Sequence, residues 1–179
     1  MEMTRLIIVC GLSGSGKTTL AKELSKKLNI FCLHKDLIKE SLAELLKIST
    51  FEESKKMGII SVGLLFALAE EQLSNGLSLM IEAPFNFEED FALFKKWEKK
   101  YALEIIKLVC EIEERERLER YRKRLPERHP CHYDEQRILE GELSFSKKDV
   151  YQKMPGKEIL VVTNKPVGEL VEYVLNKIN

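Results

Sequence analysis

Gly11-Leu12-Ser13-Gly14-Ser15-Gly16-Lys17-Thr18 is the stretch that decides how this chain is read. It satisfies G-x-x-x-x-G-K-[ST] at every fixed position. An apolar run, Leu6-Ile7-Ile8-Val9-Cys10, precedes it and reads as a buried strand; Lys17 to Leu28 follows with Leu20, Leu24 and Leu28 on one helical face. That strand–loop–helix context is the one the motif requires. The glycines permit positive φ and a close backbone approach. Successive N–H groups can then turn inward and cradle phosphate at a helix N-terminus. Lys17 is expected to reach the β- and γ-phosphates of ATP, and the Thr18 hydroxyl to serve Mg²⁺. Gly11, Ser13, Gly14, Ser15, Gly16 and Thr19 complete the expected binding set. A chance match would arise on the order of once per hundred chains from average residue frequencies.

Working outward, apolar strand-like runs alternate with helical patterns. Ile30 to Leu33, Leu77 to Ile81, Ile105 to Ile112 and Ile159 to Val162 read as four further strands. Helices are expected over Asp36 to Leu46, Ile59 to Leu73, Phe87 to Tyr101, Glu113 to Arg124 and from Pro166 onward. The Ile59 to Leu73 helix is so apolar that burial is expected, with Asn75-Gly76 ending it. Arg128 to Asp134 reads as a loop. Five such strands joined by helical crossovers predict an α/β fold, a parallel sheet covered on both faces. No repeat or linker interrupts the 179 residues, so one domain over 1–179 is expected.

Lys plus Arg number 29 and Asp plus Glu 29, so the net charge is zero. Nothing global therefore attracts nucleic acid or an anionic membrane. No apolar run approaches the roughly 20 residues of a bilayer span. Met1 to Arg5 lacks a signal-peptide pattern, because the apolar run after it is short and breaks at Gly11. The four cysteines, Cys10, Cys32, Cys110 and Cys131, form no C-x-x-C pair, which fits a reduced, cytoplasmic protein.

Several further residues are candidates on position and type. Asp36 lies just beyond the second strand, where ligands of open α/β sheets bind; it could serve an attacking hydroxyl or a metal-bound water, or simply cap a helix. Neighbouring His34 reads as a solvated side chain. Glu82 ends an apolar strand as Walker B acids do, although Asp is the usual residue. Arg117, Arg120 and Arg124 share a helical face at i, i+3 and i+7, with Arg128 beyond them. Their alternative is a solvated helix paired with its own glutamates. His129, Cys131 and His132 lack a second ligand pair at zinc spacing and read as loop residues within reach of substrate. Thr163-Asn164-Lys165 follows the fifth strand and could cap the last helix.

Four pieces together resemble the small P-loop kinases, nearest to predicted ATP-binding kinases related to chloramphenicol phosphotransferase and the zeta toxins. They are the glycine loop continuing through Thr19-Leu20-Ala21, Asp36, Glu82, and the Arg-rich segment ending Arg128-His129-Pro130-Cys131-His132-Tyr133-Asp134. The resemblance implies a three-layer P-loop fold with strand order 2-3-1-4-5 and a lid over about 113–134. It implies ATP and Mg²⁺, with Asp36 as acceptor base, Arg120 near adenine and phosphates, and Arg124 or Arg128 nearer the γ-phosphate. The lid helix has few apolar anchors, so it is expected to be more mobile than the sheet. Transfer to a hydroxyl or phosphate of a small molecule is expected. A polynucleotide 5′-hydroxyl acceptor and a hydrolytic nucleotide switch are the alternatives.

Overall fold

The computed structural model describes residues 3–141 and 148–178. In chain order the elements are β1 (Arg5–Cys10), α1 (Lys17–Leu28), β2 (Phe31–His34), α2 (Lys35–Leu46), α3 (Phe51–Ser74), β3 (Leu79–Glu82), α4 (Glu88–Tyr101), β4 (Glu104–Glu111), α5 (Glu114–Arg124), α6 (Asp134–Leu139), β5 (Lys157–Val162) and α7 (Val167–Ile178). The sheet runs β2-β3-β1-β4-β5, every pair parallel, as expected for a P-loop fold.

Alternation along the strands divides the interior in two. Leu6, Ile8 and Cys10 of β1 face one layer, where Leu65, Ala69 and Leu73 of α3 and Phe91, Phe94 and Trp97 of α4 close the core. Ile7 and Val9 face the other, against Leu20 and Leu24 of α1 and Leu170, Val171 and Val174 of α7. The central strands are therefore apolar without interruption, because neither face meets water. The register sets Val9, Glu82 and His34 side by side at the carboxyl ends of β1, β3 and β2. That edge is where the glycine loop begins.

Three expectations need correction. First, α3 begins eight residues before Ile59, at a capping box in which the Thr50 side chain accepts from Glu53 N–H and Glu53 reaches back to Thr50. Nor is it buried throughout: Ile59 is 76% exposed and Ile60 50%. At 24 residues it is long and apolar enough to span a bilayer by length and composition, contrary to the sequence estimate. Second, the expected Arg128 to Asp134 loop holds a 3-10 turn, Pro130–His132, and the short helix α6 follows it. Third, α5 buries Arg117 as well as Tyr121, so a charged side chain is among its few anchors.

Gly156 shows how tightly β5 enters the sheet. Its φ is +95°, and a Cβ there would lie 2.5 Å from the Ile105 carbonyl oxygen. Gly156→Ala should therefore lose roughly 1–3 kcal/mol in urea unfolding. Gly168→Ala, which meets nothing within 4 Å, should be neutral or stabilising. Equal effects at both positions would contradict this close packing.

Candidate active site

β1 ends at Cys10 and the chain turns through Gly11, Gly14 and Gly16, with φ of +135°, +86° and +83°. A Cβ on Gly11 would sit 2.4 Å from the Cys110 carbonyl oxygen, and one on Gly14 2.7 Å from that of Arg117. The first glycine thus lets the loop leave beside β4, and the second lets α5 dock on it. Gly16 caps α1 without a side chain, so the first-turn N–H groups gain no acceptor from that residue. Ser15 N–H donates to the Leu12 carbonyl at 3.1 Å. The Lys17 ammonium, itself buried, donates to the same carbonyl at 3.0 Å.

Two side chains hold the loop from outside. Arg117 Nη1 donates to the Ser13 carbonyl at 3.0 Å, and Thr163 Oγ1 to the Ser15 carbonyl at 2.8 Å. A peptide is planar and trans, so its N–H points opposite to its C=O. Anchoring these two carbonyls outward turns Gly14 N–H and Gly16 N–H the other way. Arg120 extends the clamp, with Nη1 donating to the Thr163 carbonyl at 2.9 Å and Nη2 paired with Glu116 at 2.6 Å. Among the described residues Ser15 Oγ is buried without a hydrogen-bond partner, an orphaned polar atom inside the loop. Thr18 is half-buried on the first turn of α1, whereas Thr19 beside it is exposed.

Carboxylates stand opposite. Glu82, almost fully buried, lies 3.1 Å from His34 Nδ1. The His34 side chain is only 12% exposed, so it is not the solvated neighbour expected. Asp36 does not cap α2, whose N-cap is His34 with no side-chain bond. Its carboxylate sits 3.2 Å from Lys35 Nζ and 3.8 Å from Arg128 Nη2. Burial works against its charge, but Lys35, His132, Arg128 and Lys17 together outweigh that and hold its carboxyl well below the usual range. Lys17, Asp36 and Arg128 are thus brought together at one end of the sheet.

The segment after α5 is fastened to α2 and α3. Asp134 accepts from Tyr121 Oη and Arg128 Nε, each at 2.5 Å. His132 Nε2 meets Glu40 at 2.8 Å, and Ser54 Oγ donates to the Cys131 carbonyl at 2.6 Å. His129 accepts from Cys131 N–H and faces Glu44, so the two imidazoles serve different carboxylates. Arg124 Nε is buried with no hydrogen-bond partner among the described residues. Thr163 and Arg117 were missed as loop anchors. The first makes its contact across 148 positions of sequence and the second across 104, spans that local patterns do not report.

The family model described as an AAA domain matches residues 6–147. The chain belongs to the AAA domain family. No curated protein matches this AAA domain in sequence. Several solved structures match it in fold. A candidate kinase from Chloroflexus aurantiacus superposes at TM-score 0.74 with 24% identity, covering 99% of this chain and 97% of that one. The adenosine phosphosulfate (APS) kinase of Mycobacterium tuberculosis, solved with AMPPNP and APS, gives 0.63 at 17% identity, covering 99% of each chain. Shikimate kinase from Aquifex aeolicus gives 0.56 at 22%, covering 98% of this chain and 96% of the other.

On α2 lies Lys39, 1% exposed, whose ammonium donates to Ser54 Oγ at 2.8 Å. Burial lowers its pKa to about 8, and the charges of Lys35 and Arg137 add to the effect. Between that value and the ordinary lysine range, the unfolded chain binds a proton that the folded chain does not. Stability from this group therefore rises with pH across that window, and its cost is fully present below it. Lys39→Met should match or exceed the parent's stability at neutral pH. Its advantage should shrink as pH climbs from 8 toward 10, measured by urea unfolding. A difference independent of pH would contradict the assignment.

Proposed function

We propose that this AAA domain is an ATP-dependent phosphotransferase that moves the γ-phosphoryl group to a small-molecule hydroxyl or phosphate. The observation carrying this reading is the loop's outward-anchored carbonyls, with Lys17 beside them and Asp36 with Arg128 across the same sheet edge. Inward N–H groups and a helix N-terminus suit the β- and γ-phosphates. Kinase relatives in fold, one holding an ATP analogue with its acceptor, lend support. The free cysteines suit a reducing cytoplasm.

In this reading Lys17 neutralises phosphate charge. Arg124, whose buried Nε has no hydrogen-bond partner among the described residues, supplies a donor to the transferring group, and Arg120 borders the nucleotide from the Thr163 side. The positive charges around Asp36 hold its carboxyl below the usual range, which weakens it as a proton acceptor early in the reaction. It instead orients the attacking hydroxyl, and a loose phosphoryl-transfer transition state demands little more. The Thr18 hydroxyl, on the first turn of α1, would be the residue to hold Mg²⁺, which would supply neutralisation of phosphate charge.

The family's description as an AAA domain favours a second reading, hydrolysis of nucleotide as a switch. Labelled γ-phosphate decides between them in a screen of nucleosides, sugars, antibiotics and a 5′-hydroxyl oligonucleotide. On the phosphotransferase reading one acceptor takes up label faster than water does. Arg124→Ala should then lower transfer roughly 10²- to 10³-fold while the melting temperature holds. Label appearing only in inorganic phosphate with every acceptor would overturn the proposal.

A further inference from the structure

An apolar face of α3 lies outside both cores. The helix carries no charged residue between Lys56 and Glu70. Its inner stripe, which includes Ser61, Leu65, Ala69 and Leu73, is buried. Ile59, Ile60, Leu64 and Leu68 are exposed, with Gly63 and Ala67 between them also in the open. A Cβ added at Gly63 would meet nothing within 4 Å. Spacings of three and four residues join these positions into one continuous strip. A contiguous apolar patch of this kind on a folded domain marks a docking surface.

We propose that the occupant is a second copy of this chain, its α3 packed antiparallel on this one about a two-fold axis between Gly63 and Leu64. The sequence is complementary to itself under that symmetry. Lys56 falls opposite the second copy's Glu71, about 22 Å along the helix from the first copy's own Glu71. Ile59 meets Leu68, Ile60 meets Ala67, and Gly63 meets Leu64, so large side chains face small ones near the axis. Each match occurs twice, as an isologous interface requires. Lys56 and Glu71 are both exposed and available to pair.

Charge excludes the other arrangements. A parallel pair would set Lys56 against Lys56 and Glu71 against Glu71. A helix lying on lipid is flanked by basic residues, whereas this strip has lysines at one end and glutamates at the other. The inference stands apart from the phosphotransferase reading, but the two meet in α3. The buried side of the same helix holds Ser54, which fixes the Cys131 carbonyl, and Phe51, whose ring lies 5.9 Å from that of Tyr133. A second copy on the outer side braces the helix on which the Arg128 to Asp134 segment rests.

Sedimentation equilibrium of the full chain tests the proposal, with a dimer expected for the parent. Leu64→Glu places like charges beside the axis and should weaken association at least 100-fold, with the far-ultraviolet spectrum unchanged. Lys56→Glu and Glu71→Lys should each weaken it roughly tenfold or more. The double exchange should restore it, a rescue that general destabilisation cannot produce. A monomeric parent, a dimer unaffected by Leu64→Glu, or charge exchanges that fail to rescue would overturn the proposal. A monomer that instead co-sediments with phosphatidylcholine vesicles through this strip would assign the face to lipid and overturn it equally.

Discussion

Two outward-held carbonyls organise this molecule. Arg117 takes the Ser13 carbonyl and Thr163 takes that of Ser15, and the planar peptide then turns the attached N–H groups the opposite way. The rest of the architecture can be read as the means of delivering those two donors. β4 and α5 bring Arg117, and the end of β5 brings Thr163. Gly14 lets the α5 backbone approach, since any side chain there would strike the Arg117 carbonyl. Preorganised donors of this kind need no rearrangement when charge arrives, which is where electrostatic stabilisation is most effective.

The end of the sheet around Asp36 is built differently. There the elements converge through charged side chains: Asp36 among Lys35, Arg128 and His132, Glu82 with His34, Asp134 between Tyr121 and Arg128. On the proposed reading, fixed backbone would face the phosphates and paired side chains would face the acceptor. Ionic groups can exchange partners when a substrate enters, at a modest cost where they are partly exposed. Arg128 is held by Asp134, a largely buried pair, while Asp36 stands within reach at 3.8 Å. The expected lid, residues 113–134, is docked in this structure by these pairs and by buried Tyr121.

The fold was legible because its signals are local. The glycine loop, the unbroken apolar strands and the α1 face each lie within a few residues of themselves, and the strand order followed from the family resemblance. α3 was read short although its start signal was present: Thr50 with Glu53 spells a capping box, and the two lysines after it hid the continuing helix. Its exposed half was misjudged because composition reports apolarity and not which face meets solvent. The His34–Glu82 pair and the Thr163 clamp span 48 and 148 positions, and both depend on the strand order. Asp36 could be placed from sequence, but its strong acidity could not, because Arg128 and His132 reach it only after folding.

Calorimetric titration of Mg·ATP into the parent chain and into Lys17→Ala tests the central claim most directly. The account predicts saturable one-to-one binding in the parent. It predicts affinity at least about tenfold weaker in the variant, as removal of a charge-assisted contact to phosphate requires, with ligand-free melting unchanged. A parent that binds no nucleotide, or a variant that binds it equally well, would contradict the assignment of Gly11 to Thr18 as the phosphate site.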